Sequence, residues 1–442
     1  MKNFTIRPPQ SYVAIFIIFF FALLDVRDAR AQFAYGADIG WLSQMEASHV
    51  VFKDNAGVQK NCMEVLKEKG INALRFRVWV NPSPAYCGKE DVAYMAHRAD
   101  SMGFKVMLDF HMSDTWADPG HQTKPAAWAH DSVSQLLADI YNHVRDVLDT
   151  LKSLGVTPAW VQIGNETNDG MLWPDGQVSK GHIENFAAMI QSGYNAVKSV
   201  DSSIQVIVHL ANGHDDGSFR QMFDNLKFFG THWDIIGMSV YPYWANLPWA
   251  EDDSLALITM NDMIARYSTK VMVVEAGYLY NQAVPANAYL LDLIAKTKSA
   301  GGLGVFYWEP ESYNWQGYQL GAWDPATKEP TVAMNAFLGL GPTSVHGTTE
   351  LPHLDFNIYP NPFNPSTNIQ YSLPQREKVV IKIYDTLGQP VQTIVDATEE
   401  AGLHTVVWSG KTINGRPAAS GDYFVSFSHD GSVQVHKITL LK

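Results

Sequence analysis

The 442-residue sequence predicts an α/β protein, a (β/α)8 TIM barrel followed by a small all-β immunoglobulin-like sandwich domain. Three observations favour this fold class. Short β-branched or aromatic runs alternate with helix-like stretches from residue 33 to about 338, eight such runs can be counted, and the composition changes after Leu340. The length also exceeds that of an ordinary single domain, so two domains are expected.

Each of the eight runs has the length and composition of a buried strand, and they cover residues 33–39, 73–78, 105–110, 160–164, 205–210, 235–240, 270–274 and 304–308. A segment long enough for a helix follows each one. Barrel active sites lie at the carboxyl ends of the strands. Polar residues are concentrated at these ends, namely Asp38, His111, Asn165, Glu166, Asn212, Tyr241, Glu275 and Glu309.

The two ends of the chain differ from this pattern. Residues 1–31 combine Lys2 and Arg7 with an apolar run and Ala29-Arg30-Ala31, which predicts a cleaved signal peptide; a permanent membrane anchor is the alternative. The barrel is predicted over residues 32–340. A polar Gly/Pro/Thr linker follows over 341–355, and short alternating runs predict the sandwich over 356–442.

Composition restricts the partners. The formal net charge is −13 and basic tracts are absent, which disfavours nucleic acids. The 13 Trp and 19 Tyr residues suit sugar faces, although many of them are expected in the core. Cys62 and Cys87 allow one disulfide, and the sequence leaves their pairing open. No zinc or iron–sulfur spacing occurs, and no cofactor is expected.

Two glutamates carry the strongest chemical signal. Glu166 follows the fourth predicted strand in GNETN, and Glu275 follows the seventh in KVMVVEAGY. About three βα units separate them, so both side chains would project into one cleft. Two carboxyl groups across a cleft are what glycoside hydrolysis requires, one as acid and one ionised. The structural alternative for either glutamate is an ion pair with Arg75 or Arg77.

The flanking motifs resemble glycoside hydrolase family 53, the arabinogalactan endo-β-1,4-galactanases, within the superfamily whose catalytic glutamates follow strands four and seven. Seven stretches carry the resemblance in order: GADIGWLSQMEA (36–47), GINALRFRVWVNP (70–82), LDFHMSDTWADPGHQTKPAAW (108–128), VQIGNETNDGMLWPDG (161–176), GMSVYPYW (237–244), VMVVEAGY (271–278) and GVFYWEP (304–310). The resemblance implies that Glu166 is the general acid/base and Glu275 the nucleophile. Asn165 would hold the sugar 2-hydroxyl, while Arg75 and Tyr241 would support the nucleophile, or else be scaffold.

The same resemblance implies a substrate-binding set, of which Asp38 is equally expected to brace the barrel mouth: Asp38, His111, Asp114, Trp116, Asp118, Trp128 and Trp308. There are two departures from the family pattern. Met112 stands where an aromatic residue is common. The segment after Glu275 lacks the acidic insertion with which some relatives bind calcium, so no metal is expected there.

The C-terminal region resembles the sorting domain of type IX secretion through IYPNPFNPST (358–367), IYDTLGQPV (383–391), GLHTVVWSG (402–410), GRPAASGDYFV (415–425) and KITLLK (437–442). This resemblance implies export by the type IX machinery, with surface attachment or cleavage of the tail as the two outcomes. No chemistry is assigned to the sandwich. A plain spacer or a carbohydrate-binding module is the alternative.

Together these resemblances imply a secreted or surface-attached, retaining endo-β-1,4-galactanase acting on type I arabinogalactan, and a monomer is expected. Retention predicts carboxyl groups about 5 to 5.5 Å apart. Three alternatives remain: a glycosidase of the same superfamily acting on mannan or xylan, a non-catalytic glycan-binding protein, and a structural surface protein. The cluster of polar residues at the strand ends disfavours the last.

Overall fold

The computed structural model of the protein describes residues 33–341, 357–373, 376–385, 389–400, 402–429 and 432–441. The predicted signal peptide, and the predicted linker apart from residue 341, lie outside the described residues. Contacts divide the chain into two compact units, one on each side of residue 344.

The first unit is a closed barrel of eight parallel strands, which confirms the predicted fold class. The strands are β1 (Ala34–Asp38), β2 (Ala73–Val78), β3 (Lys105–Phe110), β4 (Trp160–Ile163), β5 (Gln205–Leu210), β6 (Ile235–Val240), β7 (Lys270–Ala276) and β8 (Gly304–Trp308). Each strand pairs with its neighbours in sequence, and β8 closes on β1 with Trp308 opposite Asp38.

Helices surround the barrel, as the alternating pattern predicts. They are α1 (Leu42–Ala47), α2 (Cys62–Glu68), α3 (Lys89–Ser101), α4 (Val133–Ser153), α5 (Ile183–Val200), α6 (Asp216–Phe228), α7 (Pro242–Ala245), α8 (Trp249–Tyr267) and α9 (Ala283–Ser299). Helix α4 shows why the sequence forms them. Ser132 and Gln135 form a capping box at its start, and buried Ile140, Val144 and Leu151 recur at helical spacing on one face.

The lower interior of the barrel is filled by apolar side chains. Phe306, Trp160 and Met272 belong to a buried cluster contributed by several strands. Gly36 makes room for this cluster, because a Cβ atom there would lie 2.1 Å from the Phe306 ring. The filled bottom leaves polar side chains space only at the carboxyl ends of the strands.

The second unit consists of antiparallel strands, as predicted: β9 (Asn357–Tyr359), β10 (Thr367–Leu373), β11 (Glu377–Tyr384), β12 (Pro390–Glu399), β13 (Gly402–Trp408), β14 (Gly421–His429) and β15 (Ser432–Leu440). They form a three-stranded sheet of order β9-β10-β13 and a four-stranded sheet of order β12-β11-β14-β15. Tyr371, Trp408 and Phe427 belong to the hydrophobic core of this unit. The alternation of buried Val379, Ile381 and Ile383 on β11 is the strand periodicity that predicted the sandwich.

Three further features concern the sequence predictions. Cys62 and Cys87 are buried free thiols, so the structure contains no bond between them. Within the described ranges, no helix has the length and apolarity needed to cross a bilayer. The same residues contain no group of three His, Cys, Asp or Glu side chains arranged to hold a metal ion.

Candidate active site

A cleft of about 470 Å³ opens at the carboxyl ends of β3 to β8. Eight of its lining residues belong to the set predicted from the sequence: His111, Trp116, Asp118, Asn165, Glu166, Tyr241, Glu275 and Trp308. The cleft therefore brings together residues that lie up to 197 positions apart, because the closed barrel places all strand ends on one rim.

Glu166 projects into this cleft from a sharp turn after β4. Gly164 (φ 78°) and Glu166 (φ 45°) both have left-handed backbone conformations, which turn the chain immediately after the strand. The Ser239 hydroxyl donates to Glu166 Oε1 at 2.5 Å. Burial raises the pKa of Glu166 to about 7, and the hydrogen bond from Ser239 opposes that rise.

A second layer holds the Ser239 hydroxyl in place. His209 on β5 is fully buried, and its Nε2 lies 2.8 Å from Ser239 Oγ. Its Nδ1 accepts from the Glu166 backbone N–H at 3.4 Å and lies 3.0 Å from both Gln162 Nε2 and Asn165 Oδ1. Burial lowers the pKa of His209 well below its usual range. The ring is thus neutral, and its Nε2 contacts the Ser239 hydroxyl that donates to Glu166.

Glu275 lies at the end of β7, where the pairing of β6 with β7 shifts register between Met238 and Ser239. Its side chain is only 7% exposed. Arg75 Nη1 lies 2.9 Å from Glu275 Oε1, and the Tyr241 hydroxyl donates to Oε2 at 3.2 Å. Glu275 therefore forms an ion pair with a guanidinium group and accepts a hydrogen bond from a phenol.

Arg75 supplies positive charge beneath the cleft. It is fully buried and also pairs with Asp38 and, at 2.9 Å, with Asp109. Burial raises the pKa of Glu275, Arg75 opposes the rise, and the charge of Glu166 adds to it. The ion pair with Arg75 and the hydrogen bond from Tyr241 both favour the ionised form of Glu275, whereas Glu166 accepts only from a hydroxyl group.

Asn165 lines the cleft next to Glu166 and is fixed by hydrogen bonds. Its Oδ1 accepts from Arg75 Nη2 at 3.0 Å and from the Gln162 side chain at 3.1 Å. One hydrogen of its Nδ2 goes to the Ala117 carbonyl at 2.9 Å. An amide nitrogen carries two hydrogens, so one remains for a ligand.

An aromatic group lies on the β8 and β1 side of the cleft. The Trp308 and Tyr318 rings are 4.7 Å apart, and Trp41 lies 5.1 Å from Trp308. Arg77 lies against the group, with its Cζ 4.4 Å from the Trp116 ring, and forms an ion pair with Glu309 below it. The packed rings offer a rigid apolar surface for one face of a sugar.

The sequence model of glycosyl hydrolase family 53 matches residues 34–337. The chain belongs to this family. It is therefore a glycoside hydrolase, as predicted. The FlgD Ig-like domain matches residues 364–432, in agreement with the immunoglobulin-like sandwich.

Several relatives of this family 53 chain can be compared directly. A probable arabinogalactan endo-β-1,4-galactanase A of Neosartorya fischeri is 34% identical over 318 residues, covering 66% of this chain and 87% of the relative. A solved structure from a study of two fungal β-1,4-galactanases has a TM-score of 0.65 at 26% identity, covering 70% of this chain and 100% of the other. The family 53 catalytic domain of Ignisphaera aggregans has a TM-score of 0.63 at 28% identity, with 69% and 95% covered.

Three predicted substrate-binding residues of the family 53 barrel lie elsewhere. Asp114 accepts from the backbone N–H groups of Asn81 and Ala126 at 2.9 and 2.8 Å, which ties the loop after β3 together. Trp128 lines a separate cavity. Asp38 is fully buried against Arg75. None of the three lines the cleft, and their part in substrate binding stays a prediction; the burial of Asp38 fits the bracing alternative.

His111 lines the cleft, but both its ring nitrogens are engaged by the protein. Its Nδ1 accepts from the Ala117 backbone N–H at 3.0 Å, and its Nε2 lies 2.9 Å from Asp109 Oδ2. The ring therefore positions the loop after β3. Because both nitrogens are engaged, only its carbon atoms are left to contact a ligand. Met112, the departure from the family pattern, is buried.

The sequence predictions omitted several lining residues, namely Ser239, His214, Trp244 and Tyr318, as well as His209 behind them. His209 gave a usable signal, because it is a polar residue within the apolar run QVIVHL. Ser239 gave little signal in the sequence, since serine is common in strands. Tyr318 lies in a loop whose path depends on tertiary packing.

Proposed function

We propose that this glycoside hydrolase is a secreted, retaining endo-β-1,4-galactanase that acts on type I arabinogalactan, with Glu166 as acid/base and Glu275 as nucleophile. The observation that carries the proposal is the asymmetry of the two carboxyl groups within one cleft. Glu275 is bound by Arg75 and Tyr241, whereas Glu166 accepts from the neutral Ser239 hydroxyl. This asymmetry supports an ionised Glu275 beside a protonated Glu166, which the double displacement requires.

In the first step, the ionised Glu275 attacks the anomeric carbon while Glu166 donates its proton to the glycosidic oxygen. The bond between the anomeric carbon and that oxygen breaks, and the shortened chain leaves as an alcohol. A covalent galactosyl ester on Glu275 remains. The remaining Nδ2 hydrogen of Asn165 would bind the sugar 2-hydroxyl, a bond that strengthens as positive charge develops on the ring.

In the second step, Glu166 is ionised and accepts a proton from water as the water oxygen attacks the anomeric carbon. The ester bond to Glu275 breaks and the free sugar leaves with the configuration of the substrate. Net retention stays a prediction, and it requires the two carboxyl groups to be about 5 to 5.5 Å apart.

Support for the galactan substrate comes from the relatives. The Neosartorya fischeri protein is named as a probable arabinogalactan endo-β-1,4-galactanase, and a solved relative comes from work on fungal β-1,4-galactanases. The rings of Trp308 and Trp116 would stack on the apolar face of galactose. We further propose a monomer exported through the signal peptide and the C-terminal sorting domain, without a cofactor.

The test is incubation of the mature protein with purified β-1,4-galactan, β-mannan and xylan, followed by reducing-end measurement. We expect short galacto-oligosaccharides from galactan alone, with the anomeric configuration of the first product retained in a proton NMR time course. Glu166→Ala and Glu275→Ala should each reduce kcat on galactan by several orders of magnitude. Cleavage of mannan or xylan instead would overturn the substrate, and an inverted product would overturn the mechanism.

A further inference from the structure

Gln122, in the loop after β3, is a buried residue that the proposed mechanism does not use. It is only 2% exposed and does not line the cleft. Its Nε2 donates to the Asn165 carbonyl at 2.8 Å and to the Asp118 carbonyl at 3.1 Å. An amide nitrogen carries two hydrogens, so both are used. Its Oε1 has no hydrogen-bond partner among the described residues, so the side chain acts there through its two donated bonds.

The Asn165 carbonyl belongs to the peptide bond that joins Asn165 to Glu166. The N–H of the same peptide group donates to His209 Nδ1 at 3.4 Å. Gln122 and His209 therefore hold the two ends of one peptide group, one from the loop after β3 and the other from β5. Glu166 has a φ of 45°, a left-handed conformation that is costly for a residue other than glycine. Such a conformation persists only where the surrounding structure holds it firmly.

The loop that carries Gln122 is itself tied to the segment after β4. The Trp173 backbone N–H donates to the Gln122 carbonyl at 2.8 Å. Two residues further on, Lys124 Nζ lies 2.7 Å from Asp175 Oδ2. Because its main chain and its side chain are both bound, Gln122 is a fixed support for the peptide group before Glu166.

Glu166 depends on this support more than Asn165 does. The Asn165 side chain makes three hydrogen bonds of its own. In the described structure, the Glu166 carboxyl group accepts a single hydrogen bond, from Ser239. Loss of the bond from Gln122 should therefore displace the Glu166 carboxyl group and leave the Asn165 side chain in place.

We infer that Gln122 is a positioning residue for the acid/base: through the Asn165 carbonyl it fixes the peptide group that carries Glu166, and so sets where the acid meets the glycosidic oxygen. Gln122 touches no substrate and acts only through this peptide group. The inference rests on the proposed role of Glu166 and adds a residue outside the cleft on which that role depends. A small displacement of a catalytic group is enough to slow the step that it assists.

The test compares two substrates of the full chain that share a glycone. β-1,4-Galactan has a sugar leaving group that needs a proton from Glu166, whereas β-galactobiosyl fluoride releases fluoride, which needs none. Gln122→Met keeps the shape of the side chain and removes both donated hydrogen bonds. We expect it to lower kcat/KM on galactan about tenfold and to change kcat/KM on the fluoride less than about twofold. Both values come from one preparation, so the folded fraction cancels in their ratio.

Asn287→Leu is the matched control. Asn287 is fully buried on α9 outside the cleft lining, and its Nδ2 donates to the Val332 and Leu340 carbonyls at 3.0 Å each. We expect this variant to lower the unfolding temperature and to leave the ratio of the two kcat/KM values unchanged. If Gln122→Met likewise leaves the ratio unchanged, the inference is overturned and the galactanase proposal stands.

A second readout removes the group that Gln122 positions. Gln122→Met added to Glu166→Ala should change kcat/KM on galactan less than about twofold, because the acid is already absent. A further tenfold loss in the double variant would show that Gln122 acts on something other than Glu166, and would overturn the inference. A wild-type protein that cuts the fluoride and leaves galactan uncut would overturn the galactanase proposal itself.

Discussion

At the scale of single residues, the chemistry depends on unequal partners for two buried carboxyl groups. Glu275 faces Arg75, and Glu166 faces a hydroxyl group oriented by His209. Both glutamates were predictable, because each stands directly after an apolar run in the sequence. The contact of Ser239 with Glu166 was not predictable. It depends on the stagger between β4 and β6, and the sequence of neither strand specifies that stagger.

The first prediction separates the roles of the two glutamates. On β-galactobiosyl fluoride, whose leaving group needs no proton, Glu166→Ala should lose far less kcat/KM than on galactan, because only acid assistance is missing. Glu275→Ala should lose several orders of magnitude on both substrates, because the nucleophile is missing. The measurement is fluoride release beside reducing-end release. Equal losses for Glu166→Ala on the two substrates would contradict its assignment as the acid.

The second prediction concerns pH. Glu166 must be protonated for the first step, and its pKa is raised to about 7, so kcat/KM should fall as pH rises through about 7. The Ser239 hydroxyl stabilises ionised Glu166 and so lowers its pKa. Ser239→Ala should therefore raise the pKa and move the descending limb upward by up to about one pH unit.

The check is a pH profile of kcat/KM on galactan for both proteins. Ser203→Ala is a suitable control, because Ser203 lies in an exposed turn and bonds Asp201. A limb that stays in place, or moves to lower pH, would show that the hydroxyl does not stabilise the Glu166 carboxylate.

At the scale of elements, the eight strands were predictable because each is a short apolar run with clear boundaries. The ends of the strands and the paths of the loops were less predictable. Strand β7 extends to Ala276, two residues beyond its predicted end, because the register shift against β6 keeps Glu275 within the pairing. Asp114 and Trp128 are not among the residues that line the cleft, because hydrogen bonds and packing within the loop after β3 engage them elsewhere.

The segment after β8 contains a buried acidic pair. Burial raises the pKa of Glu309 to about 7, against the opposing effect of Arg77. Burial also raises the pKa of the fully buried Glu311 well above its usual range, and the charge of Glu309 adds to that rise. The folded segment therefore holds a proton at a pH where the unfolded chain, with an ordinary glutamate pKa of about 4.3, has lost it.

The third prediction follows from the sign of this shift. The folded state binds the extra proton, so protonation of the pair adds to the free energy of unfolding. This contribution is fully present below about pH 4.3 and is lost as pH rises toward the folded pKa of the pair. The Gln side chain of the Glu311→Gln variant is neutral at every pH. The free energy of unfolding of the variant minus that of wild type should therefore increase from pH 5 to pH 9, by up to about 1.4 kcal/mol per pH unit. Thermal unfolding across this range is the measurement.

Glu90→Gln serves as the comparison, because the Glu90 side chain is 85% exposed beside Lys89. Its difference from wild type should stay nearly constant with pH. A constant difference for Glu311→Gln as well would mean that the pair holds no extra proton.

At the scale of the whole molecule, the two units have separate hydrophobic cores. The cleft is lined only by residues between His111 and Tyr318, all in the first unit. The sequence predicted this division because helical and strand periodicities give way to a Gly/Pro/Thr segment and then to short alternating runs. Which cellular machinery acts on the second unit is a matter of recognition signals and stays a prediction.

The fourth prediction tests that division of labour. A chain ending at residue 341 keeps every residue of the cleft and of the barrel core, so its kcat/KM on galactan should stay within about twofold of the full chain. In a bacterium with type IX machinery, the same truncation should retain the enzyme in the periplasm, whereas the full chain should reach the surface or medium. Cell fractionation with activity measurements reads both effects. Export of the truncated chain would assign the sandwich a role other than sorting, and a large loss of kcat/KM would show that the barrel needs it for catalysis.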